Sequence, residues 1–156
     1  MLPPSSDNDD LSHNSHIVTQ AQLKRERLRF TNFVFTRTPA GLCTAEVELE
    51  WMDDIRVVGK ASGQSSPVSD LRVAAEATLK AIELFSEGVL DLDLLGVKAL
   101  RAFDANIIIV SVEVKRGEGP TRLLGSHLAE KDPVQSSVVA VLNATNRILG
   151  NYIATR

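Results

Sequence analysis

Two stretches of this chain carry residue types from which a small-ligand site could be built: Ser62-Gly63-Gln64-Ser65-Ser66, and Gly125-Ser126 running on to Asp132. Each leads into an apolar helical pattern, and a helix N-terminus presents unpaired backbone amides that favour an anion or a carboxylate. Ser62, Gly63, Ser65, Ser66, Gly125 and Ser126 are therefore the candidate ligand-binding residues. Ser66 and Asp132 could also satisfy those amides themselves as caps, and an Asp cap repels an anion. A second cluster, Lys24, Arg25, Arg27 and Arg29, is flanked by Phe30 and Phe33 and is where contact with a protein or nucleic acid would start. A solvated helix-to-strand junction accounts for the same residues.

The other reactive side chains stand without chemical company. His13 and His16 have the spacing of a metal pair, but no further Cys or His is near to fix a coordination geometry. His127 alternates with Leu128 on a strand and is expected on its exposed face. Cys43 has no neighbouring His and no electropositive setting to make it a nucleophile. Asp91 and Asp93 share a strand face, as an acid/base pair would require, yet nothing nearby would raise the pKa of one carboxyl. A non-catalytic chain with no metal or cofactor is expected.

The elements that must position these residues come in two similar sets. Val57-Val58-Gly59 through Pro67-Val68 recurs 66 residues later as Leu123-Leu124-Gly125 through Pro133-Val134. Such repeats mark one supersecondary unit that packs against its twin. Alternating apolar residues predict strands over about 28–38, from Cys43 to Trp51 and from Ile55 to Ala61, with Thr38–Gly41 and Asp53-Asp54 as turns and Ser62–Ser65 ending the third strand. Ser66 as N-cap and Pro67 as first residue open a helix whose buried stripe is Leu71, Ala74, Ala75, Thr78, Ala81, Ile82 and Phe85, with Gly88 to stop it. Strands are then expected over about 92–102, 107–114 and 121–129, with turns at Asp104-Ala105-Asn106 and Gly117–Pro120. Asp132-Pro133-Val134-Gln135 opens a second helix. The order is βββα twice. Antiparallel sheet with both helices on one face follows, a single α+β domain over 28–156 built from repeats 28–88 and 90–152. The Ala-rich helix from Ala74 to Ala81 offers a flat surface on which another helix or sheet could approach closely, which reads as an interface signal.

From about Leu28 to Tyr152 the chain resembles the C-terminal regulatory, allosteric dimerisation domain of the 2-isopropylmalate synthase and citramalate synthase family. The resemblance rests on the order of elements, on Ala61–Val68 leading into the first helix, and on Val141-Leu142-Asn143-Ala144-Thr145-Asn146-Arg147-Ile148-Leu149 in the second. It implies two pseudo-symmetric βββα units, homodimerisation and a small regulatory effector. The synthases' catalytic barrel has no counterpart in these residues, so their condensation chemistry is not expected here.

Whole-chain properties agree with that class. The 156 residues are 44% hydrophobic, enough for one core, and 17 basic against 20 acidic residues give a net charge of −3. That balance argues against a nucleic-acid partner, leaving a second copy, a small effector or a protein as the expected ones. Residues 1–16 are polar and expected to be a disordered tail, followed by a short basic helix over 17–27. One cysteine, no signal-peptide pattern and no membrane-length apolar run suit a cytoplasmic protein. The expected role is regulation or scaffolding through a homodimer; the alternative is a protein or nucleic-acid interaction module using residues 24–33 and the tail.

Overall fold

Cys43, Ala45, Val47 and Leu49 alternate with Thr44, Glu46, Glu48 and Glu50, so this strand must bury one face and leave the other to water. It does so at the centre of the first of two antiparallel sheets. In the computed structural model, residues 27–116 and 119–155 are described. The order is β1 (Arg29–Arg37), β2 (Leu42–Trp51), β3 (Ile55–Gln64), α1 (Pro67–Phe85), β4 (Leu92–Ala102), β5 (Ala105–Arg116), β6 (Gly119–Leu128) and α2 (Pro133–Ala154). The fold is α+β, two βββα units. Its antiparallel strands divide into two three-stranded sheets, β1-β2-β3 and β4-β5-β6, each carrying its own helix on one face. The expected tail over 1–16, the expected helix except for Arg27, and Gly117-Glu118 lie outside the described residues.

Both units share a bulge. On β1 the register shifts between Phe30 and Asn32, which keeps Phe30, Phe33 and Phe35 on one face although the first pair is three residues apart. On β4 the same shift falls between Leu94 and Gly96, with Leu94 and Val97 in the matching places. Three details differ from the sequence reading. Gly119 and Pro120 belong to β6, paired with Arg116 and Lys115, and not to the turn before it. The β4–β5 turn is Phe103-Asp104, both at positive φ (54° and 59°), because a two-residue hairpin needs left-handed backbone at both positions; β5 therefore begins at Ala105. And β3 does not stop at Ala61: Ser62, Gly63 and Gln64 stay in register with Thr44, Cys43 and Leu42, since polar residues are tolerated on the outward face of an edge strand.

Glycine sets how close each helix sits. A Cβ on Gly59 would overlap the Ala77 carbonyl oxygen and the Ala81 backbone, and one on Gly125 would overlap the corresponding atoms of Ala140 and Ala144. Both glycines lie within strands, with helix backbone directly above. The geometry closes in each unit: from Gly59 the chain runs about 16 Å to Gln64 and returns about 15 Å from Pro67 to Ala77, whereas from Gly125 both legs are about 10 Å. The second helix is thus slid by about one turn. The Ala-rich face of α1 is consumed in this contact, with Ala74, Ala75, Ala77 and Ala81 fully buried inside the chain. It is not a surface for a partner, because close approach to Gly59 already uses it.

The helices lie side by side and run parallel. Near their starts the Ser137 hydroxyl donates to the Leu71 carbonyl at 2.9 Å, and at their ends the Phe85 and Tyr152 rings meet edge to face with centroids 5.7 Å apart. Trp51 at the end of β2 extends that aromatic row, 5.8 Å from Phe85. α1 also packs on β4, tying the first unit to the second sheet. No helix among the described residues is long and apolar enough to cross a membrane.

Candidate functional site

Because the helices run parallel, both helix starts lie at one end of the molecule. At the first, Ser66 is the N-cap and accepts from the Ser69 amide at 3.0 Å. The Ser65 hydroxyl turns to Asp70, donating to Oδ1 at 2.8 Å, while Arg37 at the end of β1 donates through Nε and Nη2 to Oδ2 at 3.1 and 2.9 Å. Arg37 also lies over the Phe35 ring, 4.8 Å from its centroid. Asp70 is 4% exposed. Burial alone would push its carboxyl up, but the bonds from Ser65, Arg37 and the Cys43 thiol outweigh that and hold it below its ordinary value. Burial, reinforced by the same bond, pushes the Cys43 thiol up. Asp70 is thus the chain's own anion at this helix start, joining β1, β2, the end of β3 and α1. Ser62 points to the outer face of β3, and Gly63 sits below Val73, where an added Cβ would meet Cγ2 at 3.2 Å.

At the second helix start Asp132 caps α2, its Oδ1 accepting from the Val134 amide at 3.0 Å. Gly125 is under the helix, and Ser126 points outward while its carbonyl accepts from Asn143 Nδ2 at 2.9 Å. His127 departs from expectation. Its neighbours Ser126 and Leu128 take the exposed face, so the alternation of β6 turns His127 toward the helix, half-buried, opposite Ile108. Its Nδ1 is buried without a hydrogen-bond partner. A cleft of about 400 Å³ opens beside it, lined by Lys131, Asp132, Gln135, Ser136 and Val139. Six positions read from the sequence thus separate into two caps and bonded groups (Ser65, Ser66), two outward serines (Ser62, Ser126) and two glycines beneath helices.

No protein-family model matches this chain, and no curated protein matches it.

Asp93 pairs with Lys115 at 2.8 Å in solvent, and Asp91 is also exposed. His127 aligns with Ile108 and Asp93 with Glu113, a separation along β5 of about 16 Å, so these groups do not converge. Among the described residues no three His, Cys, Asp or Glu side chains lie together as a metal cage. Of the basic cluster, Lys24 and Arg25 lie outside the described residues. Arg29 is held by Asp53 at 2.8 Å and Glu50 at 3.5 Å, and Phe30 and Phe33 face inward beside the core rather than interleaving with the cations.

The two units differ most on their outer faces. On the first sheet this face carries Thr44, Glu46, Glu48 and Glu50 with Arg56 and Lys60, cross-linked by ion pairs of 3.3 to 3.7 Å around the exposed Val34 and Val58. On the second sheet the equivalent strands present Ile107, Ile109, Ser111 and Glu113 with Arg122, Leu124, Ser126 and Leu128. Leu124 is 73% exposed and Leu128 44%, with Leu100 of β4 completing their row and Phe103, 98% exposed, at the end of the sheet. Sequence reasoning missed this face and Asp70. Alternation identifies buried positions but treats the other face as solvent, and one Asp in a helix's first turn looks like an ordinary capping preference.

Proposed function

We infer that this chain is a non-catalytic domain that homodimerises through the outer face of its second sheet and serves in regulation or scaffolding. The observation that carries the reading is the contrast between repeats. Where one unit's outer face sets Glu46, Glu48, Lys60 and Ser62 around Val34 and Val58, the other's sets Ile109, Ser111, Ser126 and Leu128 around Leu124. Exposed apolar patches of this kind mark association surfaces. A second copy is the occupant that suits it: charges of both signs, Lys98 and the Glu113–Arg122 row, border the apolar centre, which a twofold arrangement can match to itself. The βββα repeat and its likeness to the regulatory domains described above support the same reading.

An effector fits the second helix start better than the first, where Asp70 already fills the anion's place. The cleft beside His127 ends on the Asp132 cap, so a neutral or cationic small molecule is favoured over an anion. The alternative interaction module over residues 24–33 has less support, because Arg29 is paired and the phenylalanines face inward.

The test is the mass in solution of the full chain across a concentration series. A dimer is expected, and Ile109→Glu with Leu124→Glu should make it monomeric at unchanged helix content. A monomer at all concentrations overturns the pairing. A thermal-shift series on the same sample with neutral, cationic and anionic amino acids tests the effector, a rise for the first two classes alone being expected.

A further inference from the structure

Strands β1, β3, β4 and β6 stand at sheet edges, and three of them carry something that hinders a further strand. On β4 the Leu92 amide donates to Glu83 Oε1 at 3.3 Å and the Leu94 carbonyl accepts from Arg72 Nη2 at 3.4 Å, both side chains reaching over from α1. On β6 the Ser126 carbonyl is taken by Asn143, and Pro120 has no amide to give. On β1 the bulge at Thr31 interrupts the row. β3 pairs with β2 over its whole length of 10 residues without a bulge and contains no proline. Its outward groups follow from the ladder. The Ser65 amide donates to the Gly41 carbonyl at 2.7 Å, continuing the β2–β3 register. Antiparallel pairs alternate between those that exchange backbone bonds and those that do not, so Val57, Gly59, Ala61 and Gly63 bond to β2, while Arg56, Val58, Lys60 and Ser62 turn amide and carbonyl to the open edge. The repeat shows what is different here. The Gly–Ala contacts make Lys60 the counterpart of Ser126 and Lys80 that of Asn143. Lys80 is exposed, and among the described residues no side chain bonds the outward backbone groups of Val58 or Lys60. Arg56 and Lys60, cations of the kind that guard an edge, are drawn across the sheet to Glu48, Glu50 and Glu46.

We propose that the β3 edge takes an extended segment of another protein as a fourth strand of the first sheet. Backbone donors and acceptors that alternate along an open edge are met by a second strand, which gives affinity through the main chain and specificity through alternate side chains. A groove of about 770 Å³ runs beside this edge, between Val58 and Lys60 on the strand and Lys80, Leu84 and Glu87 on α1. Val58 at 36% and Leu84 at 56% exposure are its apolar walls. Along α1, Lys80 lies about 6 Å to one side of Leu84 and Glu87 about 4.5 Å to the other. Same-face positions of a strand are about 6.6 Å apart, so the segment that fits carries an acidic, an apolar and a basic residue at alternate positions, facing Lys80, Leu84 and Glu87 in turn. A second copy of this chain is a poor occupant. Two β3 edges joined about a twofold would set the Arg56 and Lys60 row against itself, and like charges opposed across strands destabilise the pair. The edge is separate from the pairing wall of the second sheet.

The test titrates the full chain with the peptide acetyl-Thr-Glu-Thr-Val-Thr-Lys-Thr-amide at millimolar concentration and reads amide hydrogen exchange residue by residue by NMR. Slowing of about tenfold or more at Val58, Lys60 and Ser62 is expected, with Leu124 and Ser126 of β6 unchanged. Slowing on β6, or on neither edge, overturns the proposal. So does slowing at the same three amides when the chain alone is concentrated, which would mark β3 edges pairing with each other. Two variants separate the edge from the fold. Lys60→Pro removes an outward amide that β2 does not use, so it should abolish the slowing at Val58 and Ser62 at unchanged helix content, while Lys60→Ala retains it. Lys80→Glu should reverse the preference between this peptide and one with Lys in place of its Glu; an unchanged preference overturns the assigned chemistry.

Discussion

Asp70 concentrates more of the first unit's geometry than any other side chain. Four elements meet at its carboxylate, two of them through residues, Arg37 and Cys43, that are far from it in sequence. Asp70→Asn should cost about 2–3 kcal/mol at pH 7, the range for hydrogen bonds to a charged group, measured by chemical denaturation. Its folded-state pKa lies below the ordinary 3.8, so its contribution is complete above that value and is lost as the pH falls through the lower folded one. Wild type and Asp70→Asn should therefore converge in stability on acidification below about 4; a constant gap down to pH 2 would exclude this account. None of this was legible from the sequence. Caps were: Ser66-Pro67 and Asp132-Pro133 announce helix starts from local chemistry alone. The partners of Asp70 are set by which strand end folds over which helix, and no short-range pattern reports that.

Among the elements, legibility followed periodicity. The alternation of β2 and the stripes of both helices identified the core directly, since one buried face imposes its period on the residues. Periodicity failed where backbone geometry broke it: at the Thr31 bulge, whose spacing of three keeps Phe33 in line with Phe30, and at Ser62–Gln64, where outward polar groups hide a continuing strand. The repeated glycine was visible, but its cause was the helix backbone above it. Gly59→Val and Gly125→Val should each cost about 3 kcal/mol or more, because the clash is with backbone that cannot rotate away; thermal melts check it, and unchanged melting at both sites would refute the contact. The Phe103-Asp104 turn offers the opposite change. Replacing Phe103 with Asn and Asp104 with Gly suits the left-handed pair and should raise stability by about 1 kcal/mol, read as a higher denaturation midpoint.

Taken whole, the molecule is two versions of one unit with inner faces alike and outer faces unlike. An apolar pairing surface predicts that association withstands salt: the dimer mass should persist at 1 M sodium chloride, where the Debye length is about 3 Å, and Glu48→Lys on the charged sheet should leave it unaltered. Dissociation by salt would assign the contact to the charged face instead. In the proposed dimer, a single pairing wall among the described residues would also fix valence. Copies that join by the same wall about a twofold exhaust it, so growth stops at two. A chain in which unequal recombination had replaced the Glu46–Lys60 wall with a second Ile109–Leu128 wall would have two such faces on opposite units and nothing to end the series, and its product would be a filament. In the proposed dimer, the acidic and basic rows of the first sheet would be what keeps the assembly finite.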